Sequence, residues 1–276
     1  MIMIKKLLGA LALSLTCTVA VAEGAFPLDN APNRLNDMAA LQTGAKLFVN
    51  DCLNCHSASL MRYNKLTDLG LTDDEIKKNL LFTGTKVGDL MTTAMQPEDA
   101  KAWFGTEPPD LSVIARAKGI DYIYTYLRSF YRDTAQSTGW NNLVFPKVAM
   151  PNPLWQLEGP RAMRRVTVAE SKTPAGKEQW VRTTANYDNQ GYSTINTEVL
   201  KDYQGAAVDQ VTFSGVSNAQ RAAFDNDAAD IANFLQWMSE PDQQFRKEMG
   251  AWVVLFLLVL LVLAWRLNAA YWKDVK

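Results

Sequence analysis

Histidine is almost missing from this chain of 276 residues: there is one, His56. Cysteine is nearly as scarce, at three, and Cys17 falls in an N-terminal segment that reads as removable, which leaves Cys52 and Cys55. A structural zinc site wants four Cys or His ligands, and His56 with the two remaining cysteines does not supply them. With both thiols committed to one motif, no disulfide framework is available either. Charge of one sign is also missing, with 28 basic against 29 acidic residues. The basic excess that nucleic-acid binding requires is therefore absent. The chain has no internal repeats and no glycine-rich nucleotide loop. Long hydrophobic runs are confined to its two ends.

What is present is concentrated in Cys52-Leu53-Asn54-Cys55-His56. A Cys-x-x-Cys-His run reads as a c-type haem attachment site. The two thiols add across the haem vinyl groups, and the adjacent imidazole becomes the proximal iron ligand. A thioredoxin-like dithiol would need a βαβ setting and no histidine, whereas the surrounding pattern is helical. The expectation is one haem c, covalently attached through Cys52 and Cys55.

The first 22 residues read as a secretory signal. Lys5 and Lys6 form the positive region, Leu7 to Leu15 the apolar region, and Ala20-Val21-Ala22 the cleavage site before Glu23. Thr16 before Cys17 fits a lipoprotein site poorly. At the other end, Met249 to Trp265 carries no charge, and Leu267 with the aromatic flank Tyr271-Trp272 extends it to the ~20 residues of a membrane span. Basic residues lie on both sides, so orientation follows from the signal. Residues 23–248 are expected to be exported, 249–267 to span the lipid bilayer, and 268–276 to remain as a cytoplasmic tail. Without the leader and tail, 23 basic and 28 acidic residues remain. That mild acidity suits either a solvated surface or a basic redox partner.

The exported part offers roughly 225 residues, enough for one sizeable core. Asn33 or Asn36 starts a helix running to about Asn50, which delivers the chain to Cys52. Thr72 and Glu75 form a capping box for a helix through about Leu81, closed by Gly84. Pro97 and Glu107-Pro108-Pro109-Asp110 mark irregular chain. Asp110 caps a helix Leu111 to Lys118, Gly119 ends it, and an aromatic-rich helix follows over Tyr122 to Tyr131. Residues 134–160 read as loop, with Gly139, Pro146, Pro151, Pro153 and Pro160 as breakers. Residues 161–220 read as a polar insertion with short alternating runs such as Trp180 to Thr184. A last amphipathic helix covers about Asp225 to Met238. The predicted fold class is mainly α: a class I cytochrome c-like domain with long loops, a small polar or β insertion, and one C-terminal transmembrane helix.

Counting excludes a second histidine on the iron, so the sixth position falls to methionine, another group, water or nothing. Met150 lies in a proline-rich loop, Val148-Ala149-Met150-Pro151-Asn152-Pro153, far along the chain from His56; prolines restrict the backbone there. Met91 and Met95 are rivals, and Met163 also lies in irregular chain. Met61 is too close to His56 to reach the opposite haem face. A Met/His pair raises the reduction potential and favours electron transfer, whereas an open site suits a peroxidase or gas sensor.

The order of several short runs is similar to the cytochrome c1 family in its bacterial form. Besides the haem motif, they are Trp103-Phe104-Gly105-Thr106-Glu107-Pro108-Pro109-Asp110-Leu111-Ser112, Arg132-Asp133-Thr134, Thr138-Gly139-Trp140-Asn141-Asn142, Phe145-Pro146-Lys147-Val148-Ala149-Met150-Pro151 and Trp237-Met238-Ser239-Glu240-Pro241. The resemblance spans nearly the whole mature chain, except that 161–220 match poorly. It implies Met150 as the axial methionine, Pro108 and Pro109 packed on the haem edge, Arg116 meeting a haem propionate, and Tyr122 lining the pocket. It implies an electron-transfer subunit of the ubiquinol–cytochrome c reductase (bc1) complex in the bacterial inner membrane, with its haem domain in the periplasm. The implied partners are a cytochrome b subunit, a Rieske iron–sulfur protein and a soluble cytochrome c, within a dimeric assembly. Some bacterial relatives carry an extra disulfide, which this chain cannot form after cleavage. The competing functions are a membrane-anchored cytochrome c serving a terminal oxidase or reductase, a haem enzyme or gas sensor, and a structural assembly subunit.

Overall fold

Gly44 governs how the domain closes. In the computed structural model of the chain, residues 26–172 and 178–273 are described; the expected leader and the last residues of the tail lie outside them. Helix α1 (Met38–Leu47) is capped by Asp37, whose carboxylate accepts from Ala40 N–H at 3.1 Å. It crosses helix α7 (Asn218–Ser239), and a Cβ at Gly44 would run into the Asp230 backbone carbonyl. Glycine is what lets the two backbones approach. One turn on, the Phe48 ring meets Phe234 at 5.5 Å, and Phe234 stacks on Trp237 at 5.8 Å. Leu41 and Ala45 from α1, Phe48 just beyond it, Ile231 and Phe234 from α7, and Leu127 from the aromatic helix share one buried cluster. Helices from the two ends of the folded domain thus enclose its core.

Strand β1 (Ala58–Arg62) follows the haem motif and, after a 3-10 turn, helix α2 (Asp73–Asn79) opens with the expected capping box. Thr72 N–H donates to Glu75 at 2.8 Å, and Glu75 N–H donates back to the Thr72 hydroxyl at 3.3 Å. Strand β2 (Leu90–Met91) pairs antiparallel with β1. Pro97 does not mark a loop but opens helix α3 (Pro97–Phe104), where a missing N–H costs nothing. Helix α4 (Ile114–Lys118) ends at Gly119, and α5 (Ile120–Arg128) follows at once.

The expected helix through Tyr131 stops three residues early. Phe130–Arg132 forms strand β3, paired with β4 (Trp140–Asn142), and the Ser129 hydroxyl donates to the Tyr126 carbonyl at 3.2 Å. A single helical turn, α6 (Trp155–Glu158), interrupts the proline-rich stretch.

The largest departure lies in 161–220. Strands β5 (Ala162–Lys172), β6 (Glu178–Tyr187), β7 (Ser193–Leu200) and β8 (Val208–Ser214) form an antiparallel sheet in the order β7-β6-β5-β8. With this sheet the domain is mixed α and β, so the mainly α expectation with a small insertion is corrected. One end of the sheet docks through Met163, Val211 and Phe213 on Tyr131 and Leu143. Ion pairs Arg165–Asp209 and Arg182–Glu198 span neighbouring strands. The last helix, α8 (Gln243–Tyr271), has 29 residues and no buried position.

Candidate haem site

The α1 helix loosens into a π-helical turn over Phe48–Cys52, closed by Leu53 N–H donating to the Phe48 carbonyl at 2.9 Å. Cys55 and His56 N–H groups then both donate to the Cys52 carbonyl, at 3.1 and 2.9 Å. The two thiols and the imidazole therefore leave one tight turn. Cys52 and His56 are buried, Cys55 is half-buried, and neither cysteine is in a disulfide. Burial, then Asp51 and Cys55, pushes the Cys52 thiol up to about 12, so the site holds it as a neutral thiol.

His56 Nδ1 lies 2.7 Å from the Pro109 carbonyl oxygen. A carbonyl only accepts, so Nδ1 carries the proton and Nε2 keeps its lone pair. Burial lowers the imidazole pKa, opposed by the Pro109 bond and by Asp110, so the ring is neutral, as a metal ligand must be. The Pro109 carbonyl is held in turn by Asp110. This carboxylate accepts from Ser59 N–H and Oγ at 2.8 and 2.6 Å and from Ser112 N–H at 2.8 Å. Burial works to raise its pKa, but the Ser112 and Ser59 bonds outweigh it and hold the group below the ordinary value. Leu111 N–H to the Ser57 carbonyl, at 2.8 Å, completes the clamp. Pro108 lines a cleft of about 290 Å³ next to the motif, with Ser57, Thr93 and Met95.

A second wall is built on α5. Tyr122 and Tyr126, four residues apart, share one face of the helix, and Phe130 at the start of β3 extends it. Tyr122 stacks on Tyr126 at 6.0 Å, and Phe130 meets Tyr126 edge-on at 5.1 Å. The Tyr126 hydroxyl donates to Met150 Sδ at 3.4 Å. Met150 is half-buried against Phe130, Trp140 and Val148. Its loop is wrapped by two buried amides. Asn142 Oδ1 accepts from Val144 and Phe145 N–H at 2.9 and 3.1 Å, and Asn141 Oδ1 accepts from Lys147 N–H at 2.8 Å.

Among the other methionines, Met91, Met61 and Met163 are buried in packed core, while Met95 shares the cleft beside Ser57 and Pro108. The structure thus joins His56 to Pro109, and Met150 to the Tyr122 face. It does not gather Arg116 with them. Arg116 is exposed on α4, in a separate cleft of about 250 Å³ lined by Gln236, Ser239, Glu240 and Gln243. Tyr126 was missed by the sequence reading, although its spacing from Tyr122 and Phe130 signals it. The Pro109 carbonyl carries no such signal, being a backbone group.

The residues fit a haem c: two free thiols, an imidazole with Nε2 unprotonated, and a thioether on an aromatic wall. The model of the Cytochrome C1 family matches residues 29–275. The ammonia monooxygenase gamma subunit of Nitrosomonas europaea is 40% identical over 99% of this chain and 99% of that protein. Cytochrome c1 of Allochromatium vinosum is 39% identical over 98% of this chain and 99% of that protein. A cytochrome b/c1 of Bradyrhizobium diazoefficiens is 25% identical over 86% of this chain, which spans 34% of it. A family match across nearly the whole chain, on top of a haem-binding turn whose histidine is already in the ligating tautomer, means that the chain belongs to the cytochrome c1 family.

Proposed function

We propose that this chain is the electron-transfer subunit of a ubiquinol–cytochrome c reductase, taking one electron from a Rieske iron–sulfur protein and delivering it to a soluble cytochrome c. Haem c, held by Cys52, Cys55 and His56 with Met150 on the opposite face, supplies the one-electron couple. The Tyr122–Tyr126–Phe130 wall excludes water from that face and orients the thioether, and Pro108 and Pro109 close the histidine side. Arg116 is the candidate for a propionate, since guanidinium pairs well with carboxylate. Helix α8 anchors the chain beside a cytochrome b subunit in a dimeric complex, with residues 23–248 in the periplasm. The bond from His56 to the Pro109 carbonyl carries this reading, because it leaves the chain's only imidazole free for iron.

The test is purification from membranes in mild detergent, followed by a quinol-reduced minus oxidised spectrum. The expected result is b-type bands beside the c band, with reduction of the c haem blocked by quinol-site inhibitors. A c band alone, unreduced by quinol, overturns the complex assignment. The name of the Nitrosomonas relative suggests the alternative outcome: ammonia-oxidising activity that purifies with the chain, without b-type haem.

A further inference from the structure

The far side of the Met150 loop is tied to a buried ion pair that electron transfer does not itself require. Asn152 is 3% exposed; its Oδ1 accepts from Leu154 N–H at 3.0 Å, and its Nδ2 donates to Glu158 Oε2 at 2.6 Å. Glu158 is 2% exposed and pairs through its other oxygen with Arg161. Arg161 donates to the Arg128 and Phe130 carbonyls at 2.6 and 2.9 Å, and its guanidinium sits 3.7 Å from the centroid of the Phe213 ring. Phe130 packs on Tyr126, and Tyr126 donates to Met150. The contacts form a closed circuit: Met150, Tyr126, the end of α5, Arg161, Glu158, and Asn152, two residues beyond Met150.

A buried ion pair is a poor way to gain stability, because desolvation cancels most of the attraction. Burial raises the Glu158 carboxyl to about 7 against the pull of Arg161 and Asn152. Arg161 Nε has no hydrogen-bond partner among the described residues. What the pair offers instead is direction. Amide, carboxylate and guanidinium bonds are orientation-specific, and Pro151 and Pro153 fix φ on both sides of Asn152. Fixing the Asn152 side chain therefore fixes the backbone that presents Met150. Among the described residues no disulfide is available for this task.

We propose that Asn152, Glu158 and Arg161 are positioning residues that hold the Met150 loop closed over the haem, keeping its thioether at the sixth coordination position. The proposal rests on the reading of Met150 as the iron ligand.

The test uses the full chain in its detergent-solubilised complex. Carbon monoxide probes an open position on ferrous haem, and the midpoint potential is the second readout. Asn152→Ala cuts the loop from the pair and leaves the pair intact. Glu158→Leu combined with Arg161→Met removes both charges at near-constant volume. Each variant is expected to bind carbon monoxide about tenfold or more above the parent and to show a lower midpoint potential. Met150→Leu is the reference: if it takes up no carbon monoxide, the ligand reading fails and the proposal with it. If Met150→Leu binds and both loop variants stay closed at the parental potential, the positioning role alone is overturned. Asp209→Asn breaks an ion pair farther along the sheet, outside the circuit; carbon monoxide binding there equal to that of the loop variants also overturns it. Should the double variant fail to accumulate, Asn152→Ala decides alone, since it strands no charge.

Discussion

At the scale of single residues, the site depends on groups that act through a neighbour. Asp110 is exposed, yet its carboxylate collects the Ser59 and Ser112 donors and so fixes the Pro109 carbonyl that sets the His56 tautomer. Asp110→Ala is expected to cost about 1–2 kcal/mol, seen as a lower thermal midpoint with the haem still attached. Glu158 yields a pH prediction. Its folded pKa, raised to about 7 from 4.5, means that the folded state binds more protons than the unfolded state in between. Stability contributed by this group is therefore lost as pH rises from about 4.5 to about 7, by up to about 3 kcal/mol. Thermal midpoints of the parent and of Glu158→Leu/Arg161→Met across that range should diverge in the variant's favour as pH rises; parallel curves would refute the shift. Cys52, Cys55 and His56 were legible because attachment chemistry fixes their spacing along the chain. The acceptor of the His56 bond lies 53 residues away and is a carbonyl, which no side-chain pattern encodes. The Asn152–Glu158–Arg161 cluster escaped for another reason: its charges read as surface until the aromatic rings that cover Arg161 are in place.

At the scale of elements, helix ends were the most readable features and the sheet the least. Thr72 and Glu75 specify their capping box within four residues, so local sequence suffices. Strand β7 is exposed along nearly its whole length, and β6 alternates only weakly, so no clean two-residue period marks a buried face. What holds the sheet is cross-strand pairing such as Arg165–Asp209, between residues 44 apart. The end of α5 was misread because Phe130 and Tyr131 continue a helical aromatic pattern, while the buried Asn142 draws the Tyr126 carbonyl and Ser129 away from the helix. The α1–α7 crossing gives an element-scale prediction. In an isolated helix, glycine to alanine gains about 1 kcal/mol. At Gly44 the new methyl would meet the Asp230 carbonyl and Phe234, neither of which can swing away. Gly44→Ala is therefore expected to be net destabilising by about 1–3 kcal/mol, measured by denaturant unfolding of the haem-loaded protein. A more stable variant would show that the helices can slide apart.

At the scale of the whole molecule, the haem domain and the anchor are separable by construction. No residue of α8 belongs to any buried cluster, and the only ion pair across the joint among the described residues, Arg246 with Glu240, is exposed on the arginine side. At 29 residues, α8 is about 43 Å long, more than the ~30 Å hydrocarbon layer. The mean hydropathy of 2.4 over its most apolar 18 residues and the lack of buried positions leave lipid as the solvent for those side chains. Ending the chain after Asp242 should thus release a soluble, exported domain with the parental c-type spectrum and thermal midpoint. Core packing on α7 stops at Ser239, before the cut. The same truncation should abolish reduction by quinol in membranes, because the electron then has no assembled donor within reach, while chemical reductants still reduce the haem. A truncated chain that aggregates without haem would mean that α8 supports the fold itself. Retained quinol reduction would mean instead that the haem domain docks to its donor without the anchor.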